Sequence, residues 1–206
     1  MQAITDLIMY FHKGGLVMWP LLACSITVIA IAIERFIYYN SVDSGAAFAS
    51  HYCAAVRSGD FAVATELARK GSGQCAQMLA DVEAVAGGKA EKSAFLESRA
   101  GIFMATLRDK LDYLSIIVTM SPLLGLLGTI VGMIGAFSIF NVEAGAPMAI
   151  TGGIGEALIA TATGLCVAIL SLCAHSYFAH RMDNMITDME QCFSALLEAE
   201  TRRGRS

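Results

Sequence analysis

Charge is what this chain has least of. Only 16% of its 206 residues are Asp, Glu, Lys or Arg, while 56% are hydrophobic. A soluble domain carries about 25% charged residues. The shortage is confined to three stretches, which excludes an evenly greasy globule and points to a membrane protein with a soluble portion. No run of Lys or Arg is present and the net charge is −4, so a nucleic-acid partner is not expected. Six cysteines (Cys24, Cys53, Cys75, Cys166, Cys173, Cys192) form no CxxC pair and no zinc spacing; they read as reduced packing thiols. Phosphate loop, metal constellation and nucleophile elbow are all missing, so neither a cofactor, a metal nor an enzyme activity is expected. Period-two alternation is absent, which leaves an all-α chain. The first eleven residues carry Asp6 and no Lys or Arg, unlike the positive start of a signal peptide.

Three stretches are long enough to cross a bilayer, which takes about 20 apolar residues. The first is read as a transmembrane helix over 16–38, with Trp19 and the Tyr38–Tyr39 pair near its ends, where amphipathic rings favour the interface. The second covers 113–140 and the third 150–179. Lys and Arg set the orientation. They crowd the stretch between the first two spans and the tail, and are missing from the short connection before the third. The expected topology is therefore an outward N-terminal segment (1–15), a cytoplasmic helical domain (39–112), a periplasmic loop (141–149) and a cytoplasmic helical tail (180–206). The expectation is an N-out, C-in membrane protein bounded by lipid.

Within 39–112, Asp43 is placed to cap a helix stopping at Ser58–Gly59, and Asp60 a second ending at Gly71. A third is expected from Gln74 to Ala86. From Lys89 a single helix is expected to run on into the second span, since Phe95, Phe103, Leu107, Leu111 and Leu114 keep the helical period. Met182, Met185, Met189, Phe193 and Leu196 extend the third span in the same way.

The second span carries Gly125, Gly128, Thr129 and Gly132; the third carries Glu156, Thr161, Thr163 and Gly164. Small residues three and four apart make a stripe on which helices pack closely, and Gly125, Gly128, Gly132 and Gly164 are assigned that packing role. Glu156 is the sole carboxylate between Glu143 and Asp183. An ionisable group at membrane depth is costly and marks a proton or ion path. The alternative is an acid in the first turn of the third helix, favoured by its dipole. Thr129 and Thr161 each stand 11 residues from the outer end of their spans, and so share a depth. Thr163, seven residues beyond Glu156, shares its face on an ideal helix, whereas Thr161 points away.

Ser121-Pro-Leu-Leu-Gly-Leu-Leu-Gly-Thr-Ile-Val-Gly-Met133 and Gly153-Ile-Gly-Glu-Ala-Leu-Ile-Ala-Thr-Ala-Thr-Gly-Leu165 resemble the second- and third-span signatures of the ExbB/TolQ/MotA family of bacterial inner-membrane proton channels. Where the family often has Pro, this chain has Gly152 and Leu170. The resemblance implies a homopentamer around two copies of a single-span ExbD- or TolR-like partner, whose aspartate is the principal proton carrier. Proton flow would then drive work at the outer membrane through a TonB- or TolA-like protein. The resemblance places the family's glutamate on Glu156 and its threonines on Thr129 and Thr161, against the ideal-helix preference for Thr163; tilt or local unwinding would reconcile the two. The alternatives are a passive membrane scaffold with no ion path, or a flagellar-stator-like subunit, which usually has a fourth span.

Overall fold

The computed structural model describes residues 14–142 and 147–203. Among them are seven helices: α1 (Met18–Val42), α2 (Ala46–Ser58), α3 (Phe61–Lys70), α4 (Gln74–Val82), α5 (Lys89–Arg108), α6 (Leu111–Val142) and α7 (Pro147–Arg203). Most of the expected 1–15 segment and the middle of the expected 141–149 loop lie outside the described residues. Helix occupies both described ends of that loop. Three helical stretches, in α1, in α5–α6 and in α7, are long and apolar enough to cross a membrane.

The described chain divides into two compact units. The first comprises the residues up to Ile33 together with Asp112–Ser176. Its outer faces are apolar: Ile26, Ile29, Leu123, Leu158 and Ile169 are all exposed, as lipid-facing positions are where hydrocarbon replaces water. Its interior is built from small residues. Ala136, Ala157, Ala160 and Ala168 are buried, and so are Ser121 and Ser171. Val17, Met18 and Leu21 at the start of α1 form an apolar cluster joined by Leu124.

The second unit comprises Glu34–Leu111 and the residues from Tyr177 onward. Here the core is conventional, with Tyr39, Leu79, Val82, Leu96, Leu107 and Met189 almost fully buried. Helix α3 begins on Asp60, whose carboxylate accepts from the Val63 amide at 3.2 Å. Helix α2 begins on Gly45 instead of Asp43. Asp43 Oδ1 accepts from the Gly45 amide at 2.8 Å, and its other oxygen meets Arg181 at 3.4 Å. That carboxylate holds the turn before the helix and cannot also cap it. Helix α4 stops at Val82, short of the expected Ala86. Ala84 and Val85 donate back three residues to Asp81 and Val82, which tightens the last turn and ends it.

The expected continuous helix from Lys89 is broken by a turn at Asp109–Lys110. The cause is tertiary. Arg35 Nη1 donates to the Thr106 carbonyl at 2.9 Å and the Leu107 carbonyl at 3.5 Å, and the Tyr39 hydroxyl donates to Leu107 at 2.9 Å. These are among the terminal carbonyls that a helix end leaves without partners. Arg35 is itself buried, paired with Glu34, which also meets Lys110 at 3.1 Å. Its guanidinium lies 5.0 Å from the Tyr38 ring centroid. The end of α5 is thus capped by side chains of α1.

Candidate functional site

Helices α6 and α7 run past each other on glycine. A β-carbon on Gly125 would lie 3.1 Å from the Thr161 Cα and 3.2 Å from the Ala160 carbonyl oxygen. One on Gly128 would overlap the Ala160 methyl. On Gly132 it would stand 3.0 Å from the Gly153 oxygen, and on Gly164 2.5 Å from the Ser121 oxygen. At Gly128 and Gly164 only hydrogen fits, while at Gly125 and Gly132 a β-carbon would make the facing helix give slightly. By contrast Gly135, Gly152 and Gly155 have open space at that position, so the fit is confined to one stripe of each helix. Such close approach supplies the packing that holds helices together where no hydrophobic drive acts between them.

Polar bonds stitch the same seam. Thr161 Oγ1 donates to the Gly125 carbonyl across the seam at 3.1 Å and to Ala157 on its own helix at 3.2 Å. Three turns further along α7, Ser171 Oγ donates to the Leu114 carbonyl at 2.9 Å. Ser171 escaped the sequence reading. Its signal was its spacing, since it continues the stripe of Gly164 and Ala168.

Thr129 and Thr163 stay within their own helices. Thr129 Oγ1 donates to Leu126 at 2.7 Å, and Thr163 Oγ1 to Ile159 at 2.8 Å. Each hydroxyl keeps acceptor lone pairs free. No hydrogen bond among the described residues joins Glu156 to Thr129, Thr161 or Thr163. The structure therefore separates the candidate residues into two groups. Thr161 belongs to the α6 seam, while Glu156, with Thr163 on its face by helical spacing, lies toward the start of α1. Helix α7 is unbroken from Pro147 to Arg203, and no described residue other than glycine has positive φ. Local unwinding therefore does not bring Thr161 onto the Glu156 face.

Glu156 is half-buried. Because α7 begins at Pro147 with no acidic residue in its first turn, Glu156 sits in the third turn. The first-turn alternative, in which the helix dipole alone accounts for the acid, does not hold. Its carboxylate is packed onto Gly15, in the turn that opens α1: Oε1 occupies the place that a Gly15 β-carbon would take. Gly15 has φ of +72° and its carbonyl accepts from the Met18 amide at 3.2 Å. Left-handed backbone costs other L-residues roughly 1–2 kcal/mol, so glycine serves both the turn and the carboxylate. Next door, a β-carbon on Gly14 would come 3.3 Å from Ile159 Cγ2. No described residue forms an ion pair with Glu156, and no group of three His, Cys, Asp or Glu side chains among the described residues is arranged to hold a metal. The arrangement can present one proton-titratable oxygen pair in an apolar wall, beside a helix pair laced with hydroxyls.

The chain is similar to known proteins. The MotA/TolQ/ExbB proton channel family matches residues 72–191. The ExbB-like 1 chain of Synechocystis sp., named for biopolymer transport, is 34% identical over 170 residues, covering 79% of this chain and 66% of that one. The biopolymer transport protein exbB1 of Vibrio cholerae is 27% identical over 183 residues, 85% of this chain and 80% of that one. The Tol-Pal system protein TolQ of Pseudomonas aeruginosa is 36% identical over 81 residues, 39% of this chain and 35% of that one. With three helices able to span a membrane, this is a multi-pass protein of the bacterial inner membrane, and the chain belongs to the MotA/TolQ/ExbB proton channel family.

Proposed function

We propose that the chain is the proton-channel subunit of an energy-transducing complex of the TonB–ExbB–ExbD or Tol-Pal type. In this reading it sits N-out and C-in, gathers as a pentamer around two copies of a single-span ExbD- or TolR-like partner, and couples proton flow to work on a TonB- or TolA-like protein. The observation that carries the reading is Glu156: one carboxylate in an otherwise uncharged stretch of α7, held against the opening turn of α1. A group that is costly to place there is supported by a use that needs its proton. Thr161 ties α6 to α7 beside it and keeps the wall of the path in register. Thr129 and Thr163 supply hydroxyls whose lone pairs can accept from water. Replacing Glu156 by Gln keeps shape and removes the titratable proton. Proton-driven activity should disappear in cells while the complex still co-purifies; full activity in that variant would overturn the reading.

The glycine seam also fits a passive scaffold. That alternative predicts a silent Glu156→Gln and loss of assembly on enlarging Gly128 or Gly132.

A further inference from the structure

The second unit buries three thiols that the proton path does not use. Cys53 on α2, Cys75 on α4 and Cys192 on α7 come from distant parts of the sequence, and all three are buried, Cys192 completely. Cys53 Sγ donates to Cys192 Sγ at 4.0 Å. Cys192 also lies beside Cys75 and donates to the Ala49 carbonyl at 3.9 Å. We propose that Cys53 and Cys192 are an oxidisable dithiol, closing to a disulfide that fastens α2 to the far part of α7, with Cys75 positioned to exchange onto Cys192.

A disulfide has sulfurs about 2.05 Å apart; Cys53 and Cys192 start from sulfur contact at 4.0 Å. A metal does not explain the trio, since none of the described clusters is arranged to hold one. A peroxide is the oxidant by chemical class. One thiol takes oxygen from hydrogen peroxide, giving a sulfenic acid and one water. The second sulfur then attacks the sulfenic sulfur, forming the S–S bond and releasing a second water. Two electrons leave the two sulfurs and both end in the peroxide oxygens. Burial pushes the Cys53 thiol up from 9.0 to about 11, with the Cys192 thiol adding to the rise. The pair therefore rests as thiols and reacts when α2 opens locally to admit the oxidant, since attack requires the thiolate.

The test uses the full chain purified in detergent, folded and reduced, then exposed to hydrogen peroxide. Remaining free thiols are blocked and the protein is digested without reduction for mass spectrometry. The expected product is a Cys53–Cys192 linked peptide that dithiothreitol releases. Cys53→Ala should redirect the link to Cys75–Cys192, and Cys192→Ala should abolish both. Circular dichroism of each variant confirms that it is folded. The proposal is overturned if folded protein keeps Cys53 and Cys192 as free thiols while Cys166 and Cys173 oxidise. It is equally overturned if the linked peptide appears only after denaturation.

Discussion

The Glu156 carboxylate rests on the α-carbon of Gly15, in the space a β-carbon there would fill. The acid of the third span and the turn that opens the first helix are therefore fitted to each other, and neither can change shape alone. Gly15→Ala should force Glu156 out of its position as well as strain a backbone at φ +72°. Gly45 separates the two effects, since it has φ +80° and open space at the β position. Both alanine variants should lose roughly 1–3 kcal/mol of stability from the backbone. Only Gly15→Ala should also lose proton-driven activity. Equal activity in the two variants would remove Gly15 from the site.

The seam between α6 and α7 predicts a sharp contrast among neighbouring glycines. Gly128→Val drives a side chain into Ala160, at a cost of about 1–3 kcal/mol for overpacking, and should weaken assembly measured by thermal unfolding in detergent. Gly135→Val has open space and should leave the melting curve unchanged. Similar losses in both would mean that the glycines serve backbone flexibility instead of close approach.

Arg35 organises the junction between α5 and α6. Arg35→Leu would orphan the carbonyls of Thr106 and Leu107 and leave Glu34 with Lys110 alone. Leaving a buried acceptor without its partner costs about 1–3 kcal/mol, which should appear as a drop in the unfolding midpoint. Lys70→Ala removes an exposed i,i+4 partner of Glu66 and should leave the midpoint essentially unchanged.

Much of the fold was legible because the signals are local. Charge depletion marked the spans, Asp60 marked its own helix, and the period of Met182, Met185 and Met189 carried α7 past the apolar stretch. The misses are non-local. No residue near Asp109 breaks a helix; the turn there depends on Arg35 and Tyr39 reaching carbonyls distant in sequence. Asp43 looked like a cap but is drawn away by Arg181, and Gly45 takes its place. At the site, the glycine positions could be read from their spacing on each helix, but the bond from Thr161 to Gly125 and the seat of Glu156 on Gly15 could not. Both depend on which helices meet, and at what register.

The thiol cluster gives the second unit an alkaline limit. The folded state holds the Cys53 proton up to about pH 11, while the ordinary thiol releases it near 9.0. Stability from that proton is complete below the ordinary value and is lost as pH rises toward the folded one. Cys192 is raised in the same direction, first by its bond to Cys75 and then by burial. The unfolding midpoint should fall between pH 9 and 11, more steeply in the parent chain than in Cys53→Ala. Parallel profiles would show that the thiol carries no such linkage.

Proton flux decides the central claim. The complex with its single-span partner is reconstituted into liposomes carrying a proton gradient and an internal pH dye, with parent chain or Glu156→Gln. The account predicts that the parent dissipates the gradient and that the Gln variant, assembled to the same extent, leaves it standing. Equal dissipation by both would contradict it.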